Sequence, residues 1–141
     1  MDSEAFFWRV QAGDLPEPPA AKTLGMKILK VNSTKGELEA EFDGRQEFTN
    51  PAGNIQGGFL SAMLDDTMGP ALASQLSAGE FAPTLHLSVQ FISAAKTGKL
   101  SGVGRVVKKG KDICFLSGEL SQEGRVVATA TATATATIRR L

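Results

Sequence analysis

Apolar positions recur along this chain with two periods, and the switch between them outlines the fold. In residues 57–76 the spacing is helical. Leu60, Met63, Leu64, Thr67, Met68, Ala71, Leu72 and Leu76 form the stripe of an amphipathic helix. Gly69-Pro70 lies inside that stripe, and Pro70 cannot donate to the carbonyl of Asp66, which predicts a kink there. Ser77-Ala78-Gly79 is the expected stop. Elsewhere the period is two. Residues 22–31 and 37–43 read as strands joined by a turn at Lys35-Gly36. In the second, Leu38, Ala40 and Phe42 alternate with Glu37, Glu39 and Glu41, as in a half-buried antiparallel strand. Four more runs follow, over 84–93, 99–109, 112–122 and 125–139, separated by short Lys/Gly and Glu/Gly turns. The last holds five Ala-Thr pairs between Ala128 and Thr137. Alternation with β-branched threonine fits a strand whose alanine face lets another layer approach closely.

The chain start reads as a short helix over 3–12, capped by Ser3 and ended by Gly13, with Phe6, Phe7 and Val10 on one side. Leu15-Pro16-Glu17-Pro18-Pro19 then forms a stiff connector. The order of elements is helix, two strands, long helix, four strands. It predicts an α+β layout with one central helix against one antiparallel sheet.

Composition narrows the chemistry. At 141 residues the chain fits one domain, residues 1–141. Fifteen basic and fifteen acidic residues give a net charge of zero, which argues against nucleic acid or an anionic membrane as partner and fits self-association. The one cysteine, Cys114, excludes an intrachain disulfide and a Cys-rich zinc site. The one histidine, His86, leaves little material for a His-based metal site or a Ser–His–Asp triad. No apolar run is long enough to span a membrane, and the acidic Met1-Asp2-Ser3-Glu4 lacks the basic start of a signal peptide, so a cytoplasmic protein is expected.

The residues that could carry chemistry gather before and on the long helix. The stretch Asn50-Pro51-Ala52-Gly53-Asn54-Ile55-Gln56-Gly57-Gly58 is followed by Asp65-Asp66. Gly57 and Gly58 open the helix, where backbone N–H groups lack partners and the dipole is positive. Such an end suits an anion or a developing oxyanion, and the absent side chains let a ligand reach the backbone. A carboxylate two turns further along could serve as base or nucleophile. By spacing alone the same residues also make an ordinary glycine-rich helix entry with solvated aspartates.

Asn50, Gly53, Gln56-Gly57-Gly58 and Asp65, with the strand Thr84-Leu85-His86-Leu87-Ser88-Val89-Gln90-Phe91 and Lys96-Thr97-Gly98, resemble the hotdog-fold acyl-CoA thioesterases of the phenylacetate-degradation (PaaI-like) type. The resemblance runs over nearly the whole chain and implies a hotdog fold, a long central helix wrapped by an antiparallel sheet of about six strands. It implies hydrolysis of an acyl-CoA thioester to a carboxylic acid and free CoA, with no metal and no cofactor beyond the CoA of the substrate. On it, the Gly57 amide polarises the thioester carbonyl. Asp65 activates water or attacks as nucleophile, Asn50 positions the carbonyl or the water, and Thr84 orients water near Asp65. Gly58 lies against the substrate. The site is shared between two subunits of a dimer or tetramer, with Asp65 and Thr84 facing the partner's Gly57 and Asn50. Where that family usually has His, this chain has Gln56, which hydrogen-bonds but cannot titrate near neutral pH. A non-catalytic acyl-CoA binding module on the same fold is therefore the alternative. A hotdog dehydratase would need a His with an acid in the site, which neither His86 nor its neighbours supply.

Helical geometry separates the two aspartates. At 100° per residue, Asp65 lies roughly 115° from the centre of the apolar stripe and Asp66 roughly 145° away. Asp65 is then expected nearer the buried edge and Asp66 solvated or structural. His86 shares a polar strand face with Thr84, Ser88 and Gln90 and reads as a surface or interface residue. Cys114 beside Phe115 and Leu116 reads as a buried, inert thiol. Lys108, Lys109 and Lys111 around Gly110, with Arg105 upstream, could hold the phosphates of CoA or form a solvated hairpin tip. Phe59, Met63 and Phe81 are candidates to shape an acyl pocket.

Overall fold

A computed structural model describes residues 1–135 in full and the backbone of residues 139 and 140. Its centre is α3, Gly57–Ala73. Around it lies an antiparallel sheet of six strands: β1 (Lys27–Asn32), β2 (Glu37–Gly44), β4 (Thr84–Phe91), β5 (Gly98–Lys109), β6 (Ile113–Gln122) and β7 (Arg125–Thr135). Their order across the sheet is β1-β2-β5-β6-β7-β4, so β1 and β4 are the two edges. This is the α+β, helix-on-sheet arrangement that the two periodicities predict.

The helix seats closely because the sheet face beneath it is small. Ala128, Ala130, Ala132 and Ala134 of β7 are all buried, while the threonines between them face outward. On β5, Gly102 and Gly104 lie under Thr67, and a Cβ on Gly102 would stand 2.7 Å from the Thr67 hydroxyl. From above, Leu60, Met63, Leu64, Met68, Ala71 and Leu72 fill the space, each at most 3% exposed. Burying such a set supplies about 1.5–3 kcal/mol per large side chain, which is what holds helix to sheet. The buried Thr67 hydroxyl is satisfied within the helix, donating to the Met63 carbonyl at 2.7 Å. The fifth Ala-Thr pair, Ala136-Thr137, lies outside the described residues.

Several boundaries differ from the sequence expectation. The first helix, α1, spans Phe6–Gln11 with Ala5 as its uncapped N-terminal flank, so Ser3 caps nothing. Asp2 instead accepts from the amides of Glu4 and Ala78, tying the chain start to the loop after α3. The connector ends in a helix, α2 (Pro19–Thr23), where a strand was expected to begin at residue 22. Pro19 occupies its first turn, where a missing N–H costs nothing. α3 runs through Gly69 and Pro70 and stops at Ala73, before Ser77. A 3-10 turn, Gln46–Phe48, interrupts the loop ahead of it. A second small sheet, unforeseen from the sequence, pairs β3 (Glu80–Phe81) with β8 (Arg139–Arg140).

Candidate active site

Asp65 projects from the third turn of α3 and receives a hydrogen bond from β4: Thr84 Oγ1 donates to Asp65 Oδ1 at 2.9 Å. The sequence places Thr84 on the same face as His86, away from the helix. The structure corrects this. Thr84 pairs with Ala134, but His86 pairs with Thr133, so one extra residue, Leu85, is inserted between them. Such a bulge changes which face a side chain occupies. Thr84 therefore joins the alanine face that carries α3, and Leu85 is left 57% exposed at the sheet edge. His86, past the bulge, stays exposed on the outer face with the threonines.

The helical wheel sets Asp65 nearer the buried edge and Asp66 as solvated or structural; in the fold both are half-buried, and it is Asp66 whose Oδ2 is buried with no hydrogen-bond partner. Burial, reinforced by the charge of Asp65, pushes its carboxyl up from 3.8 to about 6. The helical wheel considers only the face that meets the sheet. The opposite face of α3 has its own cover, formed by α1, α2 and β3. Beneath that cover lies a cavity of about 710 Å³, and both Asp65 and Asp66 line it. Thr84 stands on its rim as well.

Gly57 and Gly58 start α3 with no intrahelical acceptor for their amides, since the first helical bonds run from Phe59 and Leu60 to the Gln56 carbonyl. Gly57 lies against the exposed ring of Phe91 of β4: a Cβ there would sit 2.9 Å from Phe91 Cζ, and the ring would have to move to admit it. Gly58 faces open space, and Gln56 is exposed with its side chain free of any capping bond. Asn50 spends its side-chain oxygen on its own loop: Oδ1 accepts from Ala52 N at 3.0 Å and Asn54 N at 3.1 Å. Only its Nδ2 group remains to donate outward.

Within one chain these two groups of residues do not meet. Gly57 and Asp65 are both on α3, and eight helical residues span about 12 Å of axis. Thr84 begins β4 and Phe91, which packs on Gly57, ends it. The carboxylate end and the amide end are thus opposite ends of the same strand and helix.

The basic hairpin lies at the carboxylate end. Lys109 pairs with Cys114, Cys114 with Ala134, and Ala134 with Thr84, one row across the sheet. Lys109 Nζ donates to the Gln75 carbonyl at 3.2 Å, while Lys108 and Lys111 are exposed. Cys114 is buried in the core. Of the three side chains expected to shape a pocket, only Phe81 lines the cavity. Met63 is fully buried against the sheet, and Phe59 stacks on Phe48 at 4.3 Å. Phe6, Phe7 and Val10 line it instead, and their spacing on one side of α1 was the available signal. No group of three His, Cys, Asp or Glu among the described residues could hold a metal ion, and no helix there is long and apolar enough to cross a membrane.

The comparisons with known proteins converge. Residues 52–129 match the model of the thioesterase superfamily, a span from the loop after Asn50 into the first half of β7. A phenylacetic acid degradation-related protein from Ralstonia eutropha JMP134 is 41% identical, and its structure superimposes with a TM-score of 0.90 over 92% of this chain and 98% of that one. A hypothetical thioesterase from Streptococcus pneumoniae TIGR4, solved with coenzyme A, is 27% identical with a TM-score of 0.76, covering 86% of this chain and 94% of that one. The PaaI protein of the E. coli phenylacetic acid degradation operon shares the fold at 20% identity, with a TM-score of 0.80 over 96% and 93% of the two chains.

Proposed function

The chain belongs to the thioesterase superfamily, and from that premise we propose that it hydrolyses an acyl-CoA thioester to a carboxylic acid and free CoA, in a site built from two copies of the chain. The observation that carries the proposal is the bond between Thr84 and Asp65 at the mouth of an apolar cavity. Asp65, oriented by the Thr84 hydroxyl, is the group that activates water or attacks the thioester carbon. A developing oxyanion needs donors, and the open amides of Gly57 and Gly58 at a helix N-terminus are suited to it. The CoA portion is suggested by the coenzyme A held by the Streptococcus relative and by the basic hairpin of Lys108, Lys109 and Lys111, whose ammonium groups would meet phosphates.

One chain cannot bring the amide and the carboxylate to one carbonyl, because about 12 Å of helix separates them. A second copy supplies the remedy. β4 is an open edge with Leu85, Phe91 and Ile92 at least 56% exposed, the kind of edge that pairs with another strand. Antiparallel pairing of β4 with its symmetry mate sets Thr84 of one copy opposite Phe91 of the other. Since Phe91 packs on Gly57, Asp65 of one copy then approaches the amide end of its partner.

In the hydrolytic step water adds to the thioester carbon while Asp65 takes its proton. The tetrahedral oxyanion is held by the Gly57 amide, with the Asn50 Nδ2 group beside it. Collapse expels the CoA thiolate and leaves the carboxylic acid. The test is a panel of acyl-CoAs followed by thiol release. Turnover of at least one of them, abolished by Asp65→Asn, is expected. A folded protein that hydrolyses none overturns the proposal and favours a binding module, the alternative that Gln56 in place of histidine brings with it.

A further inference from the structure

At the amide end of α3 an aromatic ring stands where a side chain is missing. Phe91, the last residue of β4, pairs with the buried Ala128 and so lies on the helix face of the sheet. Its ring reaches Gly57 by the tip: a Cβ on Gly57 would meet Cζ at 2.9 Å, Cε1 at 3.2 Å and Cε2 at 3.3 Å. We propose that Phe91 is a positioning residue for hydrolysis, its ring walling one side of the Gly57 amide, keeping water off that donor and holding it for the developing oxyanion. The inference rests on the thioester-hydrolase reading above and adds a residue to its amide end.

Two directions coincide at Gly57. In an α-helix the Cα–Cβ bond leans toward the N-terminus, and the unpaired N–H groups of the first turn point the same way. Whatever fills the Cβ position of Gly57 therefore stands beside its N–H. At Gly58 a Cβ would meet nothing within 4 Å. The two open amides are thus unequal, Gly57 half-buried and Gly58 exposed.

Ring and amide are each held by their own hydrogen bonds. Ile55 N donates to the Ala95 carbonyl and Gln56 N to the Phe48 carbonyl, both at 2.8 Å, which pins the backbone that enters α3. The stacked pair Phe48 and Phe59 closes on it from either side of Gly57 in sequence. On the strand, Ile92 N donates to the Val127 carbonyl at 2.8 Å and fixes the backbone next to Phe91. A donor set in advance and screened from water is what stabilises an oxyanion most. Phe91 is also 56% exposed on the free edge of β4. In the proposed pairing of two copies that edge faces Thr84 of the partner subunit. The ring then stands between its own Gly57 amide and the opposite carboxylate end, where the thioester lies.

The test uses Phe91→Leu and Phe91→Ala. Leucine keeps an apolar side chain at the β4 edge but lacks the three ring atoms that approach Gly57; alanine removes both. Exchange of the Gly57 amide with water, read by NMR, reports on the wall without catalysis. In the wild type Gly57 is expected to exchange roughly tenfold more slowly than Gly58, and both variants to accelerate Gly57 while leaving Gly58 unchanged. With the acyl-CoA that the wild type turns over fastest, Phe91→Leu is expected to lower kcat about tenfold and to move KM by less than about twofold, since the donor acts in the transition state. Gly57→Ala displaces the ring by itself, so adding Phe91→Leu to it should cost less than about twofold more. Unchanged Gly57 exchange in both variants, or losses in Gly57→Ala and Phe91→Leu that multiply, would overturn the role. A loss confined to Phe91→Ala that tracks dissociation of the dimer in sedimentation would make the ring a subunit contact and overturn it as well. Accelerated exchange in a protein that hydrolyses no acyl-CoA would overturn the hydrolase reading and leave the shielding of the amide in place.

Discussion

Thr84 stands opposite Ala134 in the sheet, and that pairing puts its hydroxyl 2.9 Å from Asp65. Had β4 run without the extra residue at Leu85, Thr84 would face away from α3 with His86. The bulge is thus the feature that completes the carboxylate end of the site. Asp65→Asn keeps the shape and the Thr84 contact but removes the proposed base, and turnover is expected to fall on the order of 10²–10⁴-fold. Thr84→Val removes only the orienting hydrogen bond, at a cost of about tenfold. Asp66→Asn should lower turnover far less than Asp65→Asn. Thiol release measured on the three variants checks the order, and equal losses at both aspartates would sink the assignment.

The proposed sharing of the site between two copies makes a prediction about mixtures. Asp65→Asn and Asn50→Ala each damage one half of the site. In a mixed dimer one site carries both defects and the other carries neither. Co-expression of the two inactive variants should restore about a quarter of wild-type activity, because about half of the dimers are mixed and one of their two sites is whole. Activity no higher than that of the separate variants would mean that both residues act within one chain. Sedimentation of the wild type as a 14.8 kDa monomer at micromolar concentration would count against the shared site as well.

Asp66 gives a stability prediction with a definite sign. Its carboxyl is raised from 3.8 to about 6 in the fold, so between those values the folded state holds more proton than the unfolded chain. Stability therefore falls as pH rises through that window, and the loss is complete above it, at about 3 kcal/mol. Asp66→Asn removes the charge at nearly constant volume. The variant should be more stable than the wild type at pH 8, by on the order of 1–3 kcal/mol, and nearly equal to it at pH 4. Urea unfolding of both proteins at the two pH values reads the difference. A wild type that is the more stable at pH 8 would contradict the burial of this carboxylate.

How far the sequence carries the fold depends on how many neighbours each element has. The α3 stripe from Leu60 to Leu72 and the Ala-Thr alternation of β7 are legible because each meets one partner face, and one face leaves one period. Asp66 is not, because α3 has a second cover in α1, and a wheel centred on the sheet assigns that side to solvent. Thr84 is legible beside Asp65 only through the resemblance, because a bulge leaves no mark on the alternation of Thr84, His86, Ser88 and Gln90. Pro18-Pro19 reads as a connector since proline stops helices, yet Pro19 begins α2 from the turn where its missing N–H does no harm. The roles assigned to Gly57, Asn50 and Asp65 come from resemblance; the structure adds that they cannot meet within one chain.

Gln56 sets the last prediction. It precedes α3, is exposed, and forms no capping bond, so its amide is available to a ligand beside the open Gly57 amide. If the histidine usual at this position acts by hydrogen bonding, glutamine does the same work, because it both donates and accepts. Gln56→His should then change turnover by less than about tenfold, or ~1.4 kcal/mol of barrier. A gain far beyond that would mean that proton transfer at this position matters, and that the natural chain is better described as a binding module. The pH profile separates the cases. Glutamine has no ionisation near neutrality, so wild-type activity should carry no imidazole limb, and Gln56→His should introduce one only if the new ring exchanges protons during turnover. Asp66 itself titrates at about 6, so a limb there is assigned by its loss in Asp66→Asn. A limb that survives Asp66→Asn belongs to another ionising group of the site, since Gln56 has none, and the test of Gln56 is then the comparison of its profile with that of Gln56→His.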